Sequence, residues 1–246
     1  MKNLRVIAEI GSNWCGSEEL GKKLIKSAKS AGADYVKFQM WRAHDLYRPS
    51  NKYWKEMKKA EFTPKMAKKF KQYADDLDIG CFWSVFYPEA IDVLEDLNVK
   101  LYKVASITSA QKHRFATETL QRLSKTKKPV IISMGFGGNR NSIEKILCNN
   151  KKYFLYCIAK YPTRINEISF TKMAKLDGFS DHTEGILAPI IFALKNRNTK
   201  SLKFFEKHVS IRESRGPDKP FSLDIHDLKK CVEEIAKIHS IKSLKL

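Results

Sequence analysis

The sequence has no run of about 18 apolar residues, the length a helix needs to span a bilayer, and residues 1–5 carry no charged-then-apolar leader pattern. A soluble, cytoplasmic protein with no membrane partner is expected. No C-x-x-C pair occurs: the five cysteines, Cys15, Cys81, Cys148, Cys157 and Cys231, are odd in number and widely spaced. That argues against both a disulfide framework and a cysteine zinc site. No G-x-G-x-x-G or P-loop pattern follows the first apolar run, which removes the usual dinucleotide and triphosphate fingerprints. Acidic residues are few, with 27 Asp and Glu against 46 Lys and Arg, for a formal net charge of +19. The basic residues are spread over nearly every helical segment, as in Lys22-Lys23 and in residues 65–71 and 125–128. Spread charge describes a solvated face better than a nucleic-acid footprint, and a net positive field also steers small anions toward a cleft.

What the chain does have is rhythm, and with 43% hydrophobic residues in 246 it can bury a core. Short apolar runs at 6–10, 35–39, 80–86, 101–105, 129–134, 153–158, 178–180 and 203–208 read as strands. Segments with helical periodicity lie between and after them, at 17–31, 63–77, 88–97, 115–125, 142–147, 171–175, 186–194 and 225–238. A long polar connection, residues 41–61, precedes the second helix, and loops of that length are more often functional than idle. Eight βα units without an interrupting linker predict an α/β fold, a single-domain (β/α)8 TIM barrel, with an open doubly wound sheet as the other arrangement.

In such a barrel the C-terminal ends of the strands meet on one face, where sites are built. Polar residues gather at those ends: Glu9 and Asn13, Lys37 and Gln39, Ser84, Lys103 and Ser106, Ser133, Tyr161, Asp181 and His182, Glu206 and His208. A lone lysine inside an apolar strand is costly to bury, so Lys37 and Lys103 are poor core residues and good anion ligands. Histidines at two strand ends, His182 and His208, suit a divalent transition metal. Two lysines with several hydroxyls suggest a phosphate or carboxylate pocket beside that metal.

Seven motifs in order, Ala8-Glu9-Ile10-Gly11-Ser12-Asn13, Val36-Lys37-Phe38-Gln39, Tyr102-Lys103-Val104-Ala105-Ser106, Tyr161-Pro162-Thr163, Ser180-Asp181-His182-Thr183, Glu206-Lys207-His208 and Gly216-Pro217-Asp218, resemble the sialic acid synthase family. The resemblance implies condensation of phosphoenolpyruvate with the open-chain aldehyde of an N-acylated hexosamine, giving a nonulosonic acid and phosphate. It implies that His182 and His208 hold Mn2+, with Mg2+ or Co2+ as alternatives. Phosphoenolpyruvate would meet Lys37, Ser84, Lys103, Ser106, Ser133 and Tyr161, with Ser84 where the family usually has Thr. Glu9, Gln39 and Asp218 would serve the sugar and the acid-base chemistry, Glu9 as general base, with Glu206 supporting near the metal and Asp181 in the substrate pocket. Trp14 stands where the family commonly has His. The family typically continues into an antifreeze-like domain that lends an arginine to the neighbouring subunit's sugar pocket. This chain is expected to be the barrel alone, as a homodimer or with that domain on a separate chain. Other readings are a synthase for another or a phosphorylated sugar, using basic residues near 42–48 or 212–215, and a catalytically weakened basic barrel that binds anions or nucleic acid.

Overall fold

The computed structural model describes residues 3–241, so the expected span of 1–246 ends outside the described residues on both sides. Eight parallel strands, β1 (Leu4–Glu9), β2 (Tyr35–Met40), β3 (Gly80–Val85), β4 (Tyr102–Val104), β5 (Val130–Ser133), β6 (Lys152–Cys157), β7 (Gly178–Asp181) and β8 (Lys203–Ser210), pair in sequence order. β8 then pairs with β1, matching Glu206 to Ile7 and His208 to Glu9 across the seam, so the sheet closes. A two-residue strand, β9 (Leu223–Asp224), adds to the end of β8. The fold is a single-domain (β/α)8 TIM barrel, as the alternation of apolar runs predicts.

The helices are α1 (Glu18–Ser30), α2 (Ala43–Leu46), α3 (Trp54–Lys59), α4 (Pro64–Asp76), α5 (Pro88–Asp96), α6 (Ser106–Ser109), α7 (Ala116–Ser124), α8 (Arg140–Ile146), α9 (Phe170–Ala174), α10 (Leu187–Asn196) and α11 (Ile225–Ser240). Local chemistry fixes their starts. Ser17 accepts from Leu20 N–H and places Glu18 and Glu19 in the first turn of α1, where acidic side chains suit the positive end of the helix dipole. Thr63 caps α4 in the same way, with Pro64 at its first position. None of the described helices is long and apolar enough to cross a membrane.

Residues 41–61 differ from the expected polar connection. They form α2 and α3 around buried Trp41, Ala43, Met57 and Ala60, and the Trp41 indole N–H donates to Met57 O at 3.2 Å. Apolar residues scattered among charges gave no clean period, yet they suffice to fold the segment against the barrel rim.

Strand alternation divides the core in two. Outward side chains such as Val36, Phe38, Trp83, Val104, Phe179 and Phe205 pack with the helices. Inward ones, Ile7, Phe82, Leu101, Ile131, Leu155 and Phe204, fill the lower half of the barrel as an apolar plug. The buried charged side chains inside the barrel, Glu9, Lys37, Lys103 and Glu206, sit above that plug.

Candidate active site at the C-terminal end of the barrel

Directly above the plug lies a closed layer of charge. Glu9 of β1, Lys37 of β2, Lys103 of β4 and Glu206 of β8 are each at most 4% exposed. Lys37 makes a short ion pair with Glu9 and lies 3.6 Å from Glu206, while Lys103 lies 3.4 Å from the same Glu206 carboxylate. Hydroxyls complete the layer: Lys37 donates to Ser84 at 2.9 Å, Lys103 to Ser133 at 2.7 Å, and Ser180 donates to Glu206 at 2.8 Å. Burial opposes ionisation of Glu206, but Lys103 and Lys37 outweigh it and, with Ser180, hold its carboxyl down at about 2. Burial pulls Lys37 the other way, to about 7, against the Glu206 carboxylate. Two lysine side chains thus converge on one carboxylate among serine hydroxyls, an arrangement suited to an anion that can share the same donors.

The two histidines stand one step higher, their ring centres 5.8 Å apart. His182 Nδ1 is 2.8 Å from the Ile158 carbonyl. A carbonyl only accepts, so Nδ1 carries the proton and Nε2 is left as an acceptor. Burial, reinforced by His208, lowers His182 to about 4, and burial with Lys37 nearby lowers His208 to about 3, so both rings are neutral. His208 Nδ1 is buried with no hydrogen-bond partner among the described residues, 4.0 Å from Asp218. Neutral imidazoles with an open acceptor fit a divalent transition metal. Asp218 is itself gripped by Ser12, whose N–H and hydroxyl both donate to Oδ2 at 2.7 Å. Glycine at 11, with φ +53°, leaves room for this: a Cβ there would stand 2.4 Å from Asp218 Oδ2 and 3.2 Å from His208 Cε1.

A cleft of about 570 Å³ opens above these groups. Gln39, Ser106, Tyr161, His208 and Asp218 line it, while Glu9, Lys37, Ser84, Lys103, Ser133 and Glu206 form the buried layer below. Tyr161 is half exposed at the mouth, its ring 4.3 Å from that of His182 and 4.9 Å from that of Phe221. Ser106 donates to Cys157 Sγ at 3.4 Å, and that sulfur lies 3.9 Å from His182 Nδ1. Asp181 is the exception among the expected site residues. It points out of the barrel to pair with Lys207 at 2.8 Å, because side chains alternate along β7 and Ser180 takes the inward position.

Residues 24–245 match the NeuB family. The chain belongs to the NeuB family. It is 30% identical to the N,N'-diacetyllegionaminic acid synthase of Campylobacter jejuni, over 97% of this chain and 77% of that one. It is 28% identical to the pseudaminic acid synthase of Helicobacter pylori, over 94% and 73% respectively. The fold also matches the crystal structure of an N-acetylneuraminic acid synthetase from Leptospira borgpetersenii, with TM-score 0.81 and 24% identity over 98% of this chain and 86% of that one.

In this NeuB-family chain the walls of the cleft come largely from residues that motif reading passed over. Trp41, Tyr47, Tyr53, Phe86, Phe136 and Phe221 line it, and the first three belong to residues 41–61. No lysine or arginine lines the cleft among the described residues. Arg42 instead pairs with Glu89 and stacks over Tyr87, and Arg215 donates to the carbonyls of Arg212 and Ser214. Trp14, in place of the family's common histidine, is buried against Phe62 and Phe70 and lies in the core. Ser12, Ser180 and Cys157 had a legible signal in their strand-end positions, while the aromatics had none beyond their number.

Proposed function

We infer that the chain is a metal-dependent nonulosonic acid synthase that condenses phosphoenolpyruvate with an unphosphorylated N-acylated amino-sugar aldehyde. The observation that carries this reading is the stacking of three zones: paired lysines and serines at the floor, a neutral histidine pair above, and an aromatic cleft on top. Lys37 and Lys103 hold the phosphoenolpyruvate anion with Ser84, Ser106 and Ser133. His182 and His208 would hold the divalent ion, Mn2+ by preference, which would supply Lewis-acid activation of the aldehyde. Glu9, with one carboxylate oxygen on Gly11 N–H at 2.7 Å and the other on Lys37, takes a proton from the water that adds to the enol-derived carbon. Carbon–carbon bond formation, water addition and C–O cleavage then release inorganic phosphate.

The cleft walls choose the acceptor. Burying a phosphate dianion without a cation is costly, and among the described residues the lining offers only the Asp218 carboxylate and a neutral histidine as ionisable groups other than tyrosine. Aromatic walls suit acetamido methyls and deoxy carbons. This supports an acyl-rich, uncharged sugar, in keeping with the names of the two relatives above. The test is phosphate release from phosphoenolpyruvate with Mn2+, comparing N-acetylmannosamine, its 6-phosphate and diacetamido sugars, before and after chelation. Chelator-sensitive release that depends on an unphosphorylated sugar is expected. Preference for the phosphorylated sugar would overturn the acceptor assignment, and release without any sugar would overturn the synthase.

A further inference from the structure

Asp181 and Lys207 stand on the outer face of the barrel wall, one residue before His182 and one before His208. They are register partners across β7 and β8, with both side chains 0% exposed and Nζ 2.8 Å from Oδ2. The neighbouring outward positions are Phe179, Phe205 and Val209, all in the apolar outer core. An ion pair in that setting carries a desolvation cost, and apolar side chains of similar volume would join the strands as well or better. Stability alone therefore does not account for it.

The hydrogen bonds show what the pair controls. Asp181 Oδ1 accepts from Thr183 N–H at 2.8 Å and Oδ2 from the Thr183 hydroxyl at 3.2 Å, closing an Asx turn with His182 at its centre. Lys207 donates to Asp181 Oδ2 and also makes a short hydrogen bond to the Thr183 carbonyl, so one ammonium grips both ends of that turn. On the other side Thr163 N–H donates to His182 O at 2.9 Å. His208 follows Lys207 directly on β8, so the tie that shapes the His182 turn is anchored next to the second imidazole.

We propose that the Asp181–Lys207 pair is a positioning device that fixes His182 relative to His208 so that the two can share one divalent cation. The inference rests on reading those histidines as the metal-holding pair. Partners behind metal ligands commonly tune affinity by about 10- to 100-fold, and here the partner acts through the backbone turn rather than on the imidazole itself.

The experiment uses the whole chain and Mn2+ alone as probe, read by Mn2+ electron paramagnetic resonance and by the Tm of the metal-free protein. Asp181→Leu/Lys207→Met removes the pair without stranding a charge, and Asp181→Asn keeps the turn acceptor while weakening the tie. The double variant should keep a Tm close to that of the parent while its Kd for Mn2+ rises about tenfold or more, and Asp181→Asn should fall between. Parental Mn2+ affinity in the double variant, with binding lost in His182→Ala and His208→Ala, would overturn the positioning role and leave the histidine assignment standing. Mn2+ binding that survives both histidine variants would overturn the histidine assignment and the positioning role with it. If both pair variants failed to fold, the pair would be assigned to stability and the proposal would fall.

Discussion

Ile7 and Glu9 lie two residues apart on the same inward face of β1, and the first belongs to an apolar plug while the second joins a buried ion pair. The same step recurs around the barrel, from Tyr35 to Lys37, Phe82 to Ser84, Leu101 to Lys103, Ile131 to Ser133 and Phe204 to Glu206. The lower half of the interior stabilises, since each fully buried large apolar side chain contributes about 1.5–3 kcal/mol. The upper half does the reverse, because buried charges are at best compensated by one another. One closed sheet thus carries a region that holds the barrel together and, one turn of the pleat higher, a region that the lower one must support.

Substitutions at the two levels should separate these roles. Glu9→Gln in the upper layer is expected to lower turnover by about 10²- to 10⁴-fold, the usual range for a lost general base, and, because it takes a buried counter-charge from Lys37, to lower the urea midpoint as well. Single-turnover phosphate release beside urea unfolding would check this. Full turnover would place the base elsewhere. Phe204→Ala in the plug is expected to cost about 3–5 kcal/mol of stability, seen as a lower urea midpoint, with unchanged phosphoenolpyruvate affinity in the folded protein. Lost affinity at full stability in that variant would dissolve the division between the two levels.

The plug and its charged lid were legible in the sequence for one reason. A lysine placed two residues after an inward apolar residue, as in Tyr35-Val36-Lys37 and Leu101-Tyr102-Lys103, breaks an otherwise apolar strand and betrays a site. Closure of the barrel was legible from eight repeats of one pattern. Where polar residues run consecutively the pattern loses its direction: Ser180-Asp181-His182 and Glu206-Lys207-His208 each send two side chains inward and one outward. Asp181 was therefore expected in the pocket it backs. The aromatics of residues 41–61 were illegible because that segment follows no strand or helix period, and only tertiary packing turns Tyr47 and Tyr53 toward the cleft.

Acid titration sharpens the same contrast with a smaller effect. His182 and His208 have folded values of about 4 and about 3, below the ordinary 6.5, because burial disfavours the charged ring. Between about pH 6.5 and those values the unfolded chain binds protons that the folded chain refuses, so the contribution of these two neutral rings to the stability of the metal-free protein is complete above that window and is lost as pH falls through it. The slope is at most about 1.4 kcal/mol per pH unit for each histidine. Urea midpoints measured with chelator near pH 7 and near pH 5 should therefore differ in the parent protein. Phe204→Ala should lower both midpoints in parallel, since the plug residue does not titrate. A His182→Gln/His208→Gln variant should narrow the gap between the two pH values. An undiminished gap in that variant would move the acid sensitivity from the histidines to other groups, and the upper layer would then not be the pH-sensitive half of the barrel.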